Sequence, residues 1–205
     1  MLEQFYESDK IELGLDEAGR GCLFGPVCIA GVIWVNEDPN PDLQIKDSKK
    51  MSEKKRKILR DYIESNAIAY NIQFICSEEI DKINILEASI LGMNQCIDEI
   101  VKNTKIDTIL IDGPHFNFYD GISHVCINGG DNKYKSIAAA SILAKTHRDE
   151  WIENLVRDNP ELEKYGLLKN KGYGTKEHLE AIKKYGITRW HRKTFGICKN
   201  INNIN

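Results

Sequence analysis

At 205 residues, 41% hydrophobic and 29% charged, the chain has the composition of an ordinary soluble globular protein and is long enough to bury a full core as one large domain, which excludes a mini-protein. The polar start MLEQFYESDK is not a signal peptide, and no stretch approaches the ~18 apolar residues of a membrane span, so a cytoplasmic protein with no membrane partner is expected. The net charge of −3 hides a segregation: residues 46–60 hold eight basic and two acidic side chains and residues 164–199 hold ten and two, which is +6 and +8, leaving −17 for the remainder.

Ile11, Leu13 and Leu15 alternate with Glu12 and Gly14, the period of a half-buried strand that ends near Asp16. Neighbours on a regular strand point to opposite faces, so Asp16 and Glu17 share a site only if the backbone turns between them. Gly19 and Gly21 permit a turn and a close approach to a ligand. Residues 27–35 (VCIAGVIWV) are a continuous apolar run of strand length, joined to the first strand most simply as a hairpin. NEDPNP at 36–41 is a loop by composition, and Ser52 caps a helix running to about Asn66. Residues 67–76 read as a third strand and residues 77–81 as a turn or short helix. The helical spacing of Ile85, Ala88, Leu91, Gly92, Cys96 and Ile100 predicts a long amphipathic helix over 86–102.

Residues 107–111 (DTILI) carry the nearly all-apolar signature of a buried parallel strand and stop at Asp112-Gly113-Pro114. A fifth strand is expected over 123–127, ending before Asn128-Gly129-Gly130-Asp131. Residues 136–156 then form a helix whose small-residue face, IAAASILAK, suits close packing on the sheet rather than chemistry. After Pro160 come a glycine-punctuated loop at 169–175, a helix over 176–185, a basic and aromatic stretch at 187–195 and a frayed end. The six cysteines, at 22, 28, 76, 96, 126 and 198, show neither C-x-x-C spacing nor clustering with histidine, and read as reduced, mostly buried thiols.

Asp16, Glu17, Asp112 and Asp131 all fall at strand ends or in the loops beyond them, positions that collect at one edge of an open α/β sheet. Four such carboxylates repel one another and imply divalent cations. Oxygen ligands without Cys or His select hard ions, Mg2+ or Mn2+. Two such ions ~4 Å apart can activate a water and stabilise the leaving oxygen in phosphodiester hydrolysis. The two basic segments suit the backbone phosphates of a nucleic acid. Lys145, Arg148 and Asp149 are given no catalytic role, and His115 and His124 read as ordinary loop and strand histidines.

GLDEAGRG with LFGPV after it resembles the opening signature of type 2 ribonuclease H, ribonuclease HII. DSKKMSEKKR at 47–56, INILEASILGM at 83–93, LIDG at 110–113, IAAASILAKTHRDEW at 137–151 and KGYGTKEHLEAIKKYGITRWHRKTF at 171–195 extend the resemblance in collinear order over nearly the whole chain. It implies an α/β, ribonuclease H-like fold: a five-stranded mixed sheet flanked by helices as a catalytic core over 1–159, with a helical C-terminal extension of the same domain over 160–205. The implied activity is cleavage of the phosphodiester 5′ to a ribonucleotide, in RNA/DNA hybrids and at single ribonucleotides in duplex DNA. By matching position, Asp16, Glu17, Asp112 and Asp131 would be the catalytic metal ligands for two Mn2+ or Mg2+ ions. Gly19, Arg20 and Gly21 would contact the ribose 2′-OH, Tyr173 would stack on the sugar beside it, and Ser48, Lys49, Arg192 and Lys193 would meet backbone phosphates. The pattern departs at Gly129, where many family members carry lysine, and in the aromatic loop holding Phe116, Phe118 and Tyr119.

Ribonuclease HIII, the sister enzyme, carries an N-terminal substrate-binding domain of several tens of residues, whereas here the acidic pair begins at residue 16, and the fourth acid is Asp rather than Glu. The alternative of another class is a non-catalytic RNA/DNA hybrid-binding protein that has lost its metal site, against which all four carboxylates stand. A monomer is expected, because no exposed apolar helix face is left over.

Overall fold

The computed structural model describes residues 2–37, 39–40, 43, 45 and 51–201. Five strands, β1 (Glu12–Ala18), β2 (Val27–Ile33), β3 (Ala69–Ile75), β4 (Thr108–Asp112) and β5 (Ser123–Ile127), form one mixed sheet in the order β3-β2-β1-β4-β5. β1 and β2 make the expected hairpin, with Leu13 opposite Ile33 and Ala18 opposite Cys28, and β3 continues antiparallel on β2. β4 lies parallel to β1, and β5 parallel to β4. The carboxyl ends of β1, β4 and β5 therefore open on the same edge of the sheet.

Each face of the sheet is covered by helices. Leu13, Leu15, Ile29, Ile109 and Ile111 pack with Met93, Cys96, Ile97 and Ile100 of α2 (Ser77–Val101). On the other face Cys28, Ala30 and Val32 meet Leu59 and Ile63 of α1 (Glu53–Asn66) and the alanines of α3 (Lys135–Asp158). Ser52 caps α1 as expected, accepting the Lys55 N–H at 3.3 Å. α2 breaks at Asn84, whose φ of 68° is left-handed and whose Oδ1 accepts from Leu86 and Glu87 N–H at 2.9 and 3.2 Å. The side chain thus recaps the second segment, in keeping with a short helix at 77–81 separate from the long one.

β1 departs from the half-buried strand expected of its alternation. Glu12, Leu13, Leu15 and Asp16 are all buried, on both faces. The cause lies in α3, whose small side chains bring its backbone onto the Gly14 and Asp16 face. A Cβ at Gly14 would stand 2.4 Å from the Ser136 carbonyl carbon. Gly14→Ala is expected to force α3 off the central strand and to destabilise by roughly 3 kcal/mol, a fall of about 6–12 °C in melting temperature. An unchanged melting curve would show that α3 rides further from β1.

After a 3-10 turn (Pro160–Tyr165), the short α4 (Leu167–Asn170) and α5 (Lys176–Tyr185) complete the chain up to a last 3-10 turn (Gly196–Asn200). Leu162, Tyr165, Leu167 and Ile182 from these segments cluster with Ile152 and Val156 of α3 and with Leu23 and Phe24 from the loop after β1. The C-terminal segments are thereby built onto the loop that leaves the central strand. Cys22, Cys28, Cys96 and Cys198 are buried, Cys76 is exposed, and all six cysteines are free thiols. No described helix is long and apolar enough to cross a membrane.

Candidate active site

Asp16 lies near the end of β1, Asp112 closes β4, and Asp131 sits in the 3-10 turn (Gly130–Asn132) that follows β5. Because the three strands are parallel to one another, these positions converge. One carboxylate oxygen from each of the three lies within 4.8 Å of the others. Asp112 Oδ1 accepts the Gly130 N–H at 2.7 Å, which ties the end of β4 to the turn that carries Asp131. Asp131 Oδ1 in turn accepts from Asn132 Nδ2 at 2.8 Å. Gly129 opens this turn with a φ of 64°, and the space where its Cβ would project is open.

Asp16 and Asp131 are 4% and 2% exposed, which is unusual for carboxylates. Burial first, and then the negative charges of Glu17 and Asp112, push the Asp16 carboxyl well above the usual range, against hydrogen bonds from the Ser141 hydroxyl and from the Glu17 N–H at 2.7 Å. A buried all-oxygen donor set under mutual repulsion fits a hard divalent cation such as Mg2+ or Mn2+, whose charge would offset that repulsion.

Glu17 is not among the three residues whose oxygens lie within 4.8 Å of one another. β1 continues as a regular strand through Ala18, with Glu17 opposite Ile29, so the turn expected between Asp16 and Glu17 comes later, at Gly19. Glu17 Oε1 pairs with Arg20 Nη1 at 3.2 Å. Its charge is still near enough to raise the pKa of Asp16.

The loop over residues 19–26 is braced from below by two buried arginines. Arg148 of α3 donates from Nε to the Pro26 carbonyl at 2.9 Å, from Nη2 to Phe24 at 2.9 Å and from Nη1 to Lys171 at 2.8 Å. Gly19 has a φ of 93°, and a Cβ there would stand 2.0 Å from Arg148 Nε, so glycine is required twice over. Arg192, expected to meet a backbone phosphate, lies buried beneath the loop. It is 0% exposed, and its Nη1 and Nε donate to the carbonyls of Arg20 and Gly25 at 2.8 and 3.0 Å. Burial lowers its pKa to about 10, which leaves it cationic at neutral pH.

The backbone completes this brace. Leu23 N–H donates to Gly172 at 2.9 Å, Gly25 N–H to Trp190 at 2.8 Å and Arg192 N–H to Leu23 at 2.9 Å. Tyr173 therefore stands beside the loop, 43% exposed. Arg20, Gly21 and Lys193 are exposed, and the Lys193 N–H is anchored on Asp81 Oδ2 at 2.7 Å. Ser48 and Lys49 lie outside the described residues.

Residues 13–198 match the family model described as Ribonuclease HII. A ribonuclease HII from Parabacteroides distasonis is 50% identical over 195 residues, covering 95% of this chain and 94% of the relative. The chain belongs to the ribonuclease HII family. The Christiangramia forsetii ribonuclease HII is also 50% identical, over 191 residues and 93% of each chain. Among solved structures, the PCNA:RNase HII complex from Archaeoglobus fulgidus contains a chain that superposes with a TM-score of 0.73 at 27% identity, covering 91% of this chain and 95% of its own. Ribonuclease HII enzymes are metal-dependent endoribonucleases, and the ribonuclease H-like sheet, its order and the three-aspartate cluster agree with that assignment.

Sequence reasoning missed Ser141, whereas Arg148, given no catalytic role, is the structural brace of the loop. Gly14, Asp16 and Gly19 of the central strand and loop meet Ser136, Ser141 and Arg148 of α3 in turn. The available signal was helical spacing: Ser141 and Arg148 lie seven residues apart, two turns of one helix face, with Ser141 the hydroxyl that interrupts an apolar run.

The aromatic loop that departs from the family pattern divides between packing and exposure. Phe116 and Tyr119 pack against the α2-side core, and Tyr119 Oη donates to Asp98 at 2.7 Å. Phe118 is 74% exposed.

Proposed function

We propose that this chain hydrolyses the phosphodiester 5′ to a ribonucleotide, in RNA/DNA hybrids and at single ribonucleotides embedded in duplex DNA, and leaves 3′-hydroxyl and 5′-phosphate ends. The observation that carries the reading is the Asp16, Asp112 and Asp131 cluster at the mouth of a glycine loop that is hydrogen-bonded to the Tyr173 loop. Asp16, Asp112 and Asp131 would hold the cations, and Glu17 would join them through the carboxylate that pairs with Arg20. Two Mn2+ or Mg2+ ions, when bound, supply activation of the attacking water and positive charge for the departing 3′ oxygen.

The chain's own groups select the bond. The backbone of residues 19–21 and Arg20 face the ribose 2′-OH, the group that distinguishes RNA from DNA. Tyr173 stacks on the neighbouring sugar. Ser48, Lys49 and Lys193 meet backbone phosphates, while Arg192 contributes from beneath, as a buried positive charge and a brace for the Arg20 carbonyl. The substrate is thus a ribonucleotide-containing duplex, bound by a cytoplasmic monomer with residues 1–159 as core and residues 160–205 as substrate-binding extension.

Tyr173 provides the test of this reading. Stacking on an aromatic ring is worth about 1–3 kcal/mol, so Tyr173→Ala is expected to lose about 5- to 150-fold in kcat/KM on a duplex with one ribonucleotide, and Tyr173→Phe less than about fivefold. Steady-state cleavage of an end-labelled duplex measures both. Equal losses for Phe and Ala would assign the role to the hydroxyl rather than to stacking, and a wild-type rate for Ala would remove Tyr173 from the substrate surface.

A further inference from the structure

Beneath the Tyr173 loop two histidines face each other in the C-terminal core. His178 is 0% exposed and His191 1%. Their Nε2 atoms are 3.3 Å apart. The outer nitrogens have fixed partners. His178 Nδ1 lies 2.9 Å from the Tyr173 carbonyl, and His191 Nδ1 receives the Thr188 N–H at 2.9 Å, with the Thr188 hydroxyl, able to donate, also at 2.9 Å.

These partners leave one proton arrangement. A ring nitrogen facing a carbonyl must carry a proton, so His178 is the Nδ1–H tautomer and its Nε2 offers a lone pair. A ring nitrogen receiving an N–H must be bare, so His191 carries its proton on Nε2. That proton points at the lone pair of His178. The chain then runs in one direction, from Thr188 N–H to His191, from His191 to His178, and from His178 to the Tyr173 carbonyl. Adding a proton to either ring would set two N–H groups against each other. The surroundings favour the neutral form: Phe24 and Tyr165 stand edge-on to His191 with ring centroids at 4.9 and 5.1 Å. Burial, then the facing His178, pushes His191 down to about 3, and burial lowers His178.

We propose that His178 and His191 are positioning residues for ribonucleotide recognition, a neutral two-imidazole relay that sets the orientation of Tyr173 through its backbone carbonyl. The inference rests on Tyr173 being the sugar-facing residue. The Tyr173 carbonyl already accepts from Thr175 N–H at 2.8 Å, a tight three-residue turn, and the imidazole supplies a second donor that holds this turn against the core. Thr175 also caps α5, where its Oγ1 receives the His178 N–H at 3.3 Å, so the ring and the turn share one rigid helix end.

Two isosteric amides separate positioning from bulk stability. The Asn side-chain nitrogen lies as many bonds from the backbone as His Nδ1, and the Gln side-chain oxygen as many as His Nε2, whose lone pair it replaces as the acceptor from His191. His178→Asn keeps a donor for the Tyr173 carbonyl and gives up the link to His191, whereas His178→Gln does the reverse. With a one-ribonucleotide duplex, His178→Gln is expected to lose about tenfold or more in kcat/KM, up to the roughly 100-fold that accompanies a misplacement of about 1 Å, while His178→Asn stays within about threefold of the parent. In a Tyr173→Ala background His178→Gln should cause no further loss, because the residue it positions is gone.

Equal losses for Asn and Gln, or an undiminished Gln effect beside Tyr173→Ala, would overturn the relay. A parental rate for Tyr173→Ala alone would instead overturn the sugar-facing role on which the relay rests. Should the His178 variants fail to fold, nitrogen-15 NMR of the unsubstituted protein decides: the expected spectrum at pH 6 has His178 protonated on Nδ1, His191 on Nε2 and neither as imidazolium, and any other assignment contradicts the proposal.

Discussion

Asp16→Asn is expected to abolish cleavage while raising the melting temperature of the metal-free protein. Asp16 is buried, and both its desolvation and the neighbouring Glu17 and Asp112 charges disfavour its ionised form. Its folded pKa is raised above the unfolded value of 3.8, so its contribution to stability is most favourable below pH 3.8 and is lost as pH rises through the folded pKa. At neutral pH the carboxylate is therefore a standing penalty, relieved by a cation or by an amide. An amide retains acceptor capacity toward the Ser141 hydroxyl and the Glu17 N–H. A gain on the order of 1–2 kcal/mol, about 2–8 °C, is expected for the metal-free variant. Mn2+ or Mg2+ at 100 times its dissociation constant should stabilise the parent by about 2.7 kcal/mol and the variant far less. Hybrid binding should be largely retained. Thermal melts with and without metal, paired with a cleavage assay, read all of these effects, and a variant that melts below the parent without metal would return Asp16 to a structural role.

The second large effect is expected at Arg148. Arg148→Ala strips three backbone carbonyls, at Phe24, Pro26 and Lys171, of their guanidinium donors and empties a fully buried site. An unsatisfied buried acceptor costs about 1–3 kcal/mol, so a loss of roughly 4 kcal/mol or more, about 8–16 °C, is expected. Lysine cannot reproduce the fork and should recover only a small part. Cleavage should also fall at temperatures where the variant is still folded, since the loop over 19–26 loses its brace beside the aspartates. Circular dichroism melts and cleavage at low temperature check this, and a loss below about 1 kcal/mol would show that Arg192 and the backbone bonds suffice alone.

The elements that periodicity marks strongly were legible from sequence. β5 and α5 have the bounds expected from the sequence, and the break in α2 was foreshadowed by the gap between residues 81 and 86. Convergence of Asp16, Asp112 and Asp131 followed from their placement after parallel strands, which is a topological matter and readable without side chains. What escaped was orientation. Alternation made β1 half-exposed because sequence does not reveal that α3, through Gly14, covers the second face. Arg192 belongs to a basic stretch and invited a phosphate contact, but its stretch turns inward to pair with Leu23, so its charge is spent on carbonyls. A count of charges along a segment carries no information on which of them the backbone turns inside.

The most direct measurement of ribose-directed, cation-dependent cleavage compares two end-labelled duplexes, one with a single embedded ribonucleotide and one all DNA, each with Mg2+, Mn2+ or EDTA. The expected result is a single cut on the 5′ side of the ribonucleotide, in the first duplex and only with a divalent cation. Cutting of the all-DNA duplex would contradict 2′-OH sensing by residues 19–21, and cutting in EDTA would contradict the assignment of Asp16, Asp112 and Asp131 as the cation site.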